Sequence, residues 1–353
     1  MKQILLFLFN VMVIFFLCCS CTGTPRSREI YIKRGLYFQQ RLVNELFKGL
    51  EKDKAPLHDT RDWKHSSLIS AAWFGFDPYD STTILTKALN SGARFILIPD
   101  LGKPWITEPL FIKSNTTLII ESGVEIQAKR GAFHGGGDTL LSLKDVENVT
   151  IYGYGARLKM FKEDYRKAPY KKAQWRHTIQ IKGGRSIHIF GITAESSGGD
   201  GIYLGSGQRG YNENIIIKDV TLRYHYRQGI SVISAQDLLI ENTEMSFTEG
   251  HSPAAGIDFE PNRPAERLIN CRLKHCSIHN NKGPGILICL KAQDMTTLPF
   301  DISFFNCIVK HQLIAITLLG EKKISGGRLF LQNTKLSGLS FLPGIETITI
   351  VKD

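Results

Sequence analysis

One short corner signature recurs along the later part of the chain. An Asn, Asp, His or Gly followed by a small or β-branched residue closes a strand-like run at Gly191-Ile192, Asp219-Val220, Asn242-Thr243, His275-Cys276, Asn306-Cys307 and Asn333-Thr334. Successive signatures lie 23 to 33 residues apart. A second register keeps step with the first: ten residues after Ile192, Val220 and Cys276 come Ile202, Ile230 and Ile286, each directly preceded by Gly. A period in this range, holding strands and turns but no ten-residue helix, predicts stacked coils of a parallel β-solenoid.

Composition agrees with an all-β reading. Thirty-two glycines stand against five methionines, and charged residues make up 22%, which excludes a disordered chain, a collagen and a multi-span membrane protein. Helical spacing appears only early, in Leu42, Val43, Leu46, Phe47 and Leu50, and again from an N-cap at Ser81 through Ile84, Leu85, Ala88 and Leu89 to a stop at Gly92.

At the N-terminus, Lys2 precedes an apolar run from Ile4 to Leu17, shorter than a spanning helix and of the kind found in secretory signals. The run ends in Leu17-Cys18-Cys19-Ser20-Cys21, which resembles a bacterial lipobox with Cys21 as lipid acceptor; ordinary cleavage nearby is the alternative. The expected organisation is therefore 1–21 signal and lipobox, 22–75 helical segment and linker, and 76–353 solenoid. The protein is expected to be exported to the bacterial cell envelope, touching the membrane only through its anchor. The net charge of +11 favours anionic partners, and export sets nucleic acid aside in favour of an acidic polysaccharide. The four cysteines beyond the signal, Cys271, Cys276, Cys289 and Cys307, fit no zinc spacing. Cys276 and Cys307 fall in the corner register beside Thr243 and Thr334, which predicts an internal ladder; a disulfide between coils is the other expectation.

Phe76-Asp77-Pro78-Tyr79-Asp80-Ser81-Thr82-Thr83, then Ile96-Leu97-Ile98-Pro99, then Ser114-Asn115-Thr116-Thr117-Leu118 resembles the entry into pectate-lyase-like right-handed β-helices. The resemblance implies a right-handed parallel β-helix capped by an N-terminal helix, here Thr82 to Leu89. It leaves function open among lyases, hydrolases, epimerases and binding proteins. The runs around Asp200 and Asp258 are similar to those of bacterial β-helix proteins from polysaccharide-degrading systems. The pectate lyase signature Arg-x-Pro-x-x-Arg and the polygalacturonase blocks are both absent.

Strand alternation then selects candidates for chemistry. With Ile202, Ile230, Ile257 and Ile286 inside, Tyr203, Ser231, Asp258 and Leu287 face out, and Glu260 faces out two residues after Asp258. Paired carboxyls, one protonated and one ionised, are what glycoside hydrolysis needs, so Asp258 and Glu260 are the expected catalytic pair with Asp200 in support. Tyr203, His225 and Arg227 are expected to bind substrate. Two insertions add to the set. The interval from Thr243 to Ile257 is 14 residues and carries His251; that from Ala156 to Ile179 is 23 and carries Lys171, Lys172, Trp175 and Arg176. Cations and aromatic faces there would wall an acidic sugar chain. A β-eliminating lyase remains the alternative, with His225 moving the proton and Ca²⁺ as cofactor; the hydrolase calls for no cofactor or metal. A non-catalytic glycan-binding protein is the third reading. The sequence leaves oligomeric state open.

Overall fold

The structure is a computed structural model that describes residues 25–54, 67–310, 316–319, 324–336, 339–341 and 348–352. The expected secretion signal, with Cys21 as lipid acceptor, lies outside the described residues. The described strands stack into three parallel sheets of eleven, nine and nine strands, each coil contributing one strand to each sheet in turn. Strand Arg185–Phe190 in the first sheet, for example, leads to Thr193–Glu195 in the second and Ile202–Gly205 in the third. The first sheet opens with Leu68–Ser70 paired to Phe95–Leu97, ahead of residue 76.

The recurring corner has a conformational cause. Gly191, Asp219, Asn242, His275, Asn306 and Asn333 all have φ between 46° and 73°, the left-handed region that Gly, Asn and Asp enter most readily. The residue after each points into the core. Cys276 and Cys307 are buried there as free thiols, so they form the expected ladder and no disulfide. Thr243 and Cys276 each donate to the carbonyl two residues back, Glu241 at 3.0 Å and Lys274 at 3.5 Å. A small side chain with one donor satisfies that corner, which explains why Thr and Cys interchange. The inner stack of the third sheet, Ile179, Ile202, Ile230, Ile257 and Ile286, is in register and fully buried.

Helix α1, Pro25–Leu46, starts well before the apolar spacing that predicts it. It runs lengthways along the corner between the first and second sheets. Arg28 near its start donates to Glu244 at 3.0 Å and Thr221 Oγ1 at 2.7 Å, whereas Gln39 reaches the Ile120 carbonyl at 3.0 Å and accepts from the Tyr154 amide at 2.8 Å. Eleven residues of helix advance about 16 Å, close to the roughly 19 Å spanned by four coils. Gly35 lets the helix meet the Tyr154 ring, since a Cβ there would sit 2.1 Å from Cε1. Helix α2, Thr82–Leu89, buries Leu85, Ala88 and Leu89 over the first coils. Its first amide is capped by Asp80 at 3.0 Å rather than by Ser81, whose hydroxyl donates to the Asp77 carbonyl.

Candidate active site

Outward positions of the third sheet form the row Gln180, Tyr203, Ser231, Asp258 and Leu287, in the register expected from alternation. A second row lies three residues earlier, just ahead of each strand: His177, Asp200 and Gln228. The turn preceding that row supplies Arg227, whose amide donates to the Gly199 carbonyl of the adjacent coil at 3.0 Å.

These rows meet at Arg227. Its Nη1 lies 3.5 Å from Asp200 Oδ2, while Nη2 lies 3.8 Å from Asp258 Oδ2 and 2.8 Å from Glu260 Oε2. The three carboxyls chosen from sequence thus surround one guanidinium. Because Asp258 and Glu260 contact the same Nη2, their oxygens lie within about 7 Å of each other, close enough for a pair acting on one glycosidic bond. Asp200 and Asp258 are shut off from solvent; the Glu260 side chain is 29% exposed and that of Arg227 12%.

Burial pushes the Asp258 carboxyl up to about 8; Arg227 opposes the shift, and Glu260 and Asp200 add to it. The Gln228 amide donates to Asp258 Oδ2 at 2.6 Å, and its carbonyl accepts from the Ala255 amide at 2.7 Å, which fixes which end of the amide faces the acid. Burial works against the charge on Arg227, but the three carboxyls outweigh it and hold the guanidinium above its ordinary pKa. Asp200 Oδ1 and Asp258 Oδ1 are buried outside these hydrogen bonds.

His177 was not singled out by the sequence, yet it borders the cluster. Its Nδ1 accepts from the Asp200 amide at 3.0 Å and lies 3.2 Å from Asp200 Oδ2, and its ring stacks on Tyr203 at 4.6 Å with 9° between planes. Burial, then Asp200, pushes the Tyr203 phenol up to about 12. Gly201 is required beside Asp200: a Cβ there would lie 2.6 Å from His225 Nε2 and 2.7 Å from the Gly229 carbonyl.

Two expected substrate ligands are corrected by the structure. His225 is fully buried, burial pushes it down to about 3, and its Nδ1 meets Ser197 Oγ at 2.8 Å, so it is a neutral packing group. Arg176 is also fully buried and donates to the carbonyls of Phe133 at 2.7 Å, His134 at 3.1 Å and Lys171 at 2.7 Å, tying the long insertion down. Lys171, Lys172 and Trp175 are exposed on that insertion. His251 lines a separate cavity with Lys162, Arg166 and Lys282. Among the described residues, none of these four joins the ion pairs or hydrogen bonds of the Arg227 cluster. No group of three or more His, Cys, Asp or Glu among the described residues is arranged to hold a metal ion.

The coil geometry and the carboxyl row define a parallel β-helix protein with an acid cluster on its third sheet. The family model for the right-handed β-helix region matches residues 145–322, and the chain belongs to that family. Several solved structures share the fold. A tailspike protein, gp49 of Acinetobacter baumannii bacteriophage Fri1, described as a capsular polysaccharide depolymerase, is 17% identical over 76% of this chain and 50% of its own, with a TM-score of 0.56. An ι-carrageenase complexed to ι-carrageenan fragments is 16% identical over 75% of this chain and 58% of its own, at 0.54. An endo-xylogalacturonan hydrolase from Aspergillus tubingensis is 12% identical over 80% and 76%, also at 0.54. The chain thus spans only half to three fifths of the first two. No curated protein matches.

Proposed function

We propose that the protein is a hydrolase of an acidic polysaccharide, with Asp258 as general acid, Glu260 as its carboxylate partner, Asp200 in support, and Arg227 as the group that meets the substrate's anionic substituent. The observation that carries this reading is the single guanidinium shared by three carboxyls; burial of Asp258 favours its protonated form. A protonated carboxyl and an ion-paired one within a few ångströms are the two roles that glycoside hydrolysis requires. The fold relatives named above, all polysaccharide-acting by their own descriptions, support it as well.

A saccharide approaching the third sheet meets Glu260 and the edge of Arg227 first, because Asp200 and Asp258 are covered. A carboxylate or sulfate on the chain that engages Arg227 bidentately draws the guanidinium off Asp258 and opens that acid to the glycosidic oxygen. A neutral chain offers Arg227 no such exchange. β-Elimination with His225 as base finds no support, since that ring is buried and neutral. Export through residues 1–21, with Cys21 lipidated, would place the enzyme at the cell envelope, where such polymers are met.

The test is incubation of the full-length protein with acidic and neutral polysaccharides, following new reducing ends together with the ultraviolet absorbance of unsaturated uronates. Reducing ends without absorbance, lost in Asp258→Asn, are expected. Absorbance rising in step with reducing ends would replace hydrolysis by elimination. Binding without either product would leave a glycan-binding protein.

A further inference from the structure

At the corner between the second and third sheets, four successive coils turn through left-handed residues: Ser196, Tyr224, Phe247 and Asn280, with φ of 57°, 61°, 55° and 55°. Ser and Asn suit such a turn because their side chains bond locally, whereas a bulky aromatic gains nothing there and pays for its β-carbon. Two adjacent coils nevertheless carry aromatics. Core packing does not account for them, since Tyr224 is 43% and Phe247 40% exposed. They stack on each other at 5.2 Å with 23° between planes, His279 stands edge-on to Phe247 at 5.8 Å, and the Arg223 guanidinium lies 5.7 Å from the Tyr224 centroid. Strain retained at an exposed position points to use rather than stability.

Two residues beyond Phe247 the chain enters the wall of a cavity of about 590 Å³, whose charged lining is Lys162, Arg166, His251 and Lys282 together with Glu163 and Glu249. Its cations have exposed acidic partners, Arg166 with Glu163 at 2.9 Å and Lys282 with Glu249 at 3.6 Å, and exposed pairs of this kind exchange readily. Tyr226 joins the cavity to the acid cluster: its ring lies 6.1 Å from His251 and 5.8 Å from the Arg166 guanidinium, and the next residue is Arg227.

We infer that Tyr224 and Phe247 form an outer glycan subsite, a stacking platform for the apolar face of a pyranose ring, with the Lys162–Arg166–Lys282 cavity taking the carboxylate or sulfate of a neighbouring sugar. This rests on the polysaccharide reading of the Arg227 cluster but not on its chemistry. Rings flanked by cations and continuous with that cluster suit an anionic sugar chain better than an apolar protein surface, which would find charge on every side.

The full-length Asp258→Asn protein, which holds polymer without turning it over, is run through native gels cast with polygalacturonate, ι-carrageenan or neutral dextran. Tyr224→Asn with Phe247→Asn is added to it, asparagine being at home at φ near 60°. The expected result is retardation by an acidic polymer and not by dextran, with a dissociation constant raised roughly tenfold by the double substitution and an unchanged or higher thermal midpoint. Phe247→Tyr retains the retardation. Retardation that survives the double substitution overturns the subsite, as does retardation by none of the three polymers. So does a fallen midpoint with retardation intact, which makes the rings packing groups, or loss of a dimer in sedimentation instead of loss of polymer binding. The two readings fail separately: wild-type cleavage with platform-independent binding sinks only the subsite, and platform-dependent binding without any cleavage sinks only the hydrolase.

Discussion

Replacing Asp258 by Asn tests whether burial keeps that carboxyl protonated. An ordinary Asp titrates near 4 in the unfolded chain, whereas in the fold burial pushes this one up to about 8. Between those values the folded state binds more protons than the unfolded state. The stabilising contribution is therefore complete below about pH 4 and is lost as pH rises towards 8, at up to about 1.4 kcal/mol per pH unit. Asparagine does not titrate, and its carbonyl can still accept the Gln228 amide that now reaches Oδ2 at 2.6 Å. Groups elsewhere with raised pKa values, such as the buried Asp219, contribute equally to both proteins and cancel in their difference. Urea unfolding at pH 5, 6, 7 and 8 should show the variant gaining on the parent by about 1 kcal/mol per unit, roughly 3 kcal/mol across the series. Hydrolysis should fall at least about 100-fold, the lower bound for removing a general acid. Unfolding curves whose difference stays constant with pH would mean that Asp258 ionises as an ordinary carboxylate, and the acid role would fall with it.

Removing the shared cation should act in the opposite sense with pH. Arg227→Gln leaves Asp200, Asp258 and Glu260 facing one another, so it should cost about 3–5 kcal/mol near neutrality and distinctly less near pH 4, measured by the same unfolding curves. Arg176→Met removes the donors to three carbonyls, that of Phe133 buried, and should destabilise by about 2–3 kcal/mol while leaving retardation by acidic polymers unchanged; lost retardation with stability intact would restore Arg176 as a substrate ligand. Gly201→Ala forces a Cβ against His225 Nε2 and the Gly229 carbonyl and should cost about 1–3 kcal/mol, read as a lowered thermal midpoint. Ile257→Asp buries a charge in the central stack and should melt the coils around it; an unchanged melting curve would contradict the strand register.

Much of the fold was legible because two local constraints repeat. The left-handed corner admits few residue types, so Asp219, Asn242, Asn306 and Asn333 marked each coil, and the glycine before Ile202, Ile230 and Ile286 marked the third sheet. What lay beyond local constraint was not legible. The part of α1 ahead of Leu42 is held by Arg28 and Gln39, polar contacts to coils that lie some 80 to 215 residues away in sequence, and these leave no apolar period to read. The cations of the long insertion looked alike in sequence, but Arg176 turns inward, where the Phe133 and His134 carbonyls accept its guanidinium, and Lys171 and Lys172 turn outward.

The site illustrates the same division. Alternation from the buried isoleucines placed Asp258 and Glu260 on the outer face correctly, since a strand has only two faces. His225 turns inward and Arg227 towards the carboxyls for one reason: both belong to one turn, and which of its side chains points inward depends on the coil beneath. There Ser197 offers His225 a hydroxyl at 2.8 Å, and Asp200 offers Arg227 a carboxyl at 3.5 Å. The missed signal lay across coils rather than along the chain. The residue two places before each inner isoleucine reads His177, Asp200 and Gln228. Three polar, hydrogen-bonding residues at one buried register position, each two places before a strand opens, are costly in a solenoid unless they are satisfied. His177 meets Asp200, and Gln228 meets Asp258. The Oδ1 atoms of Asp200 and Asp258 stay buried outside these pairings.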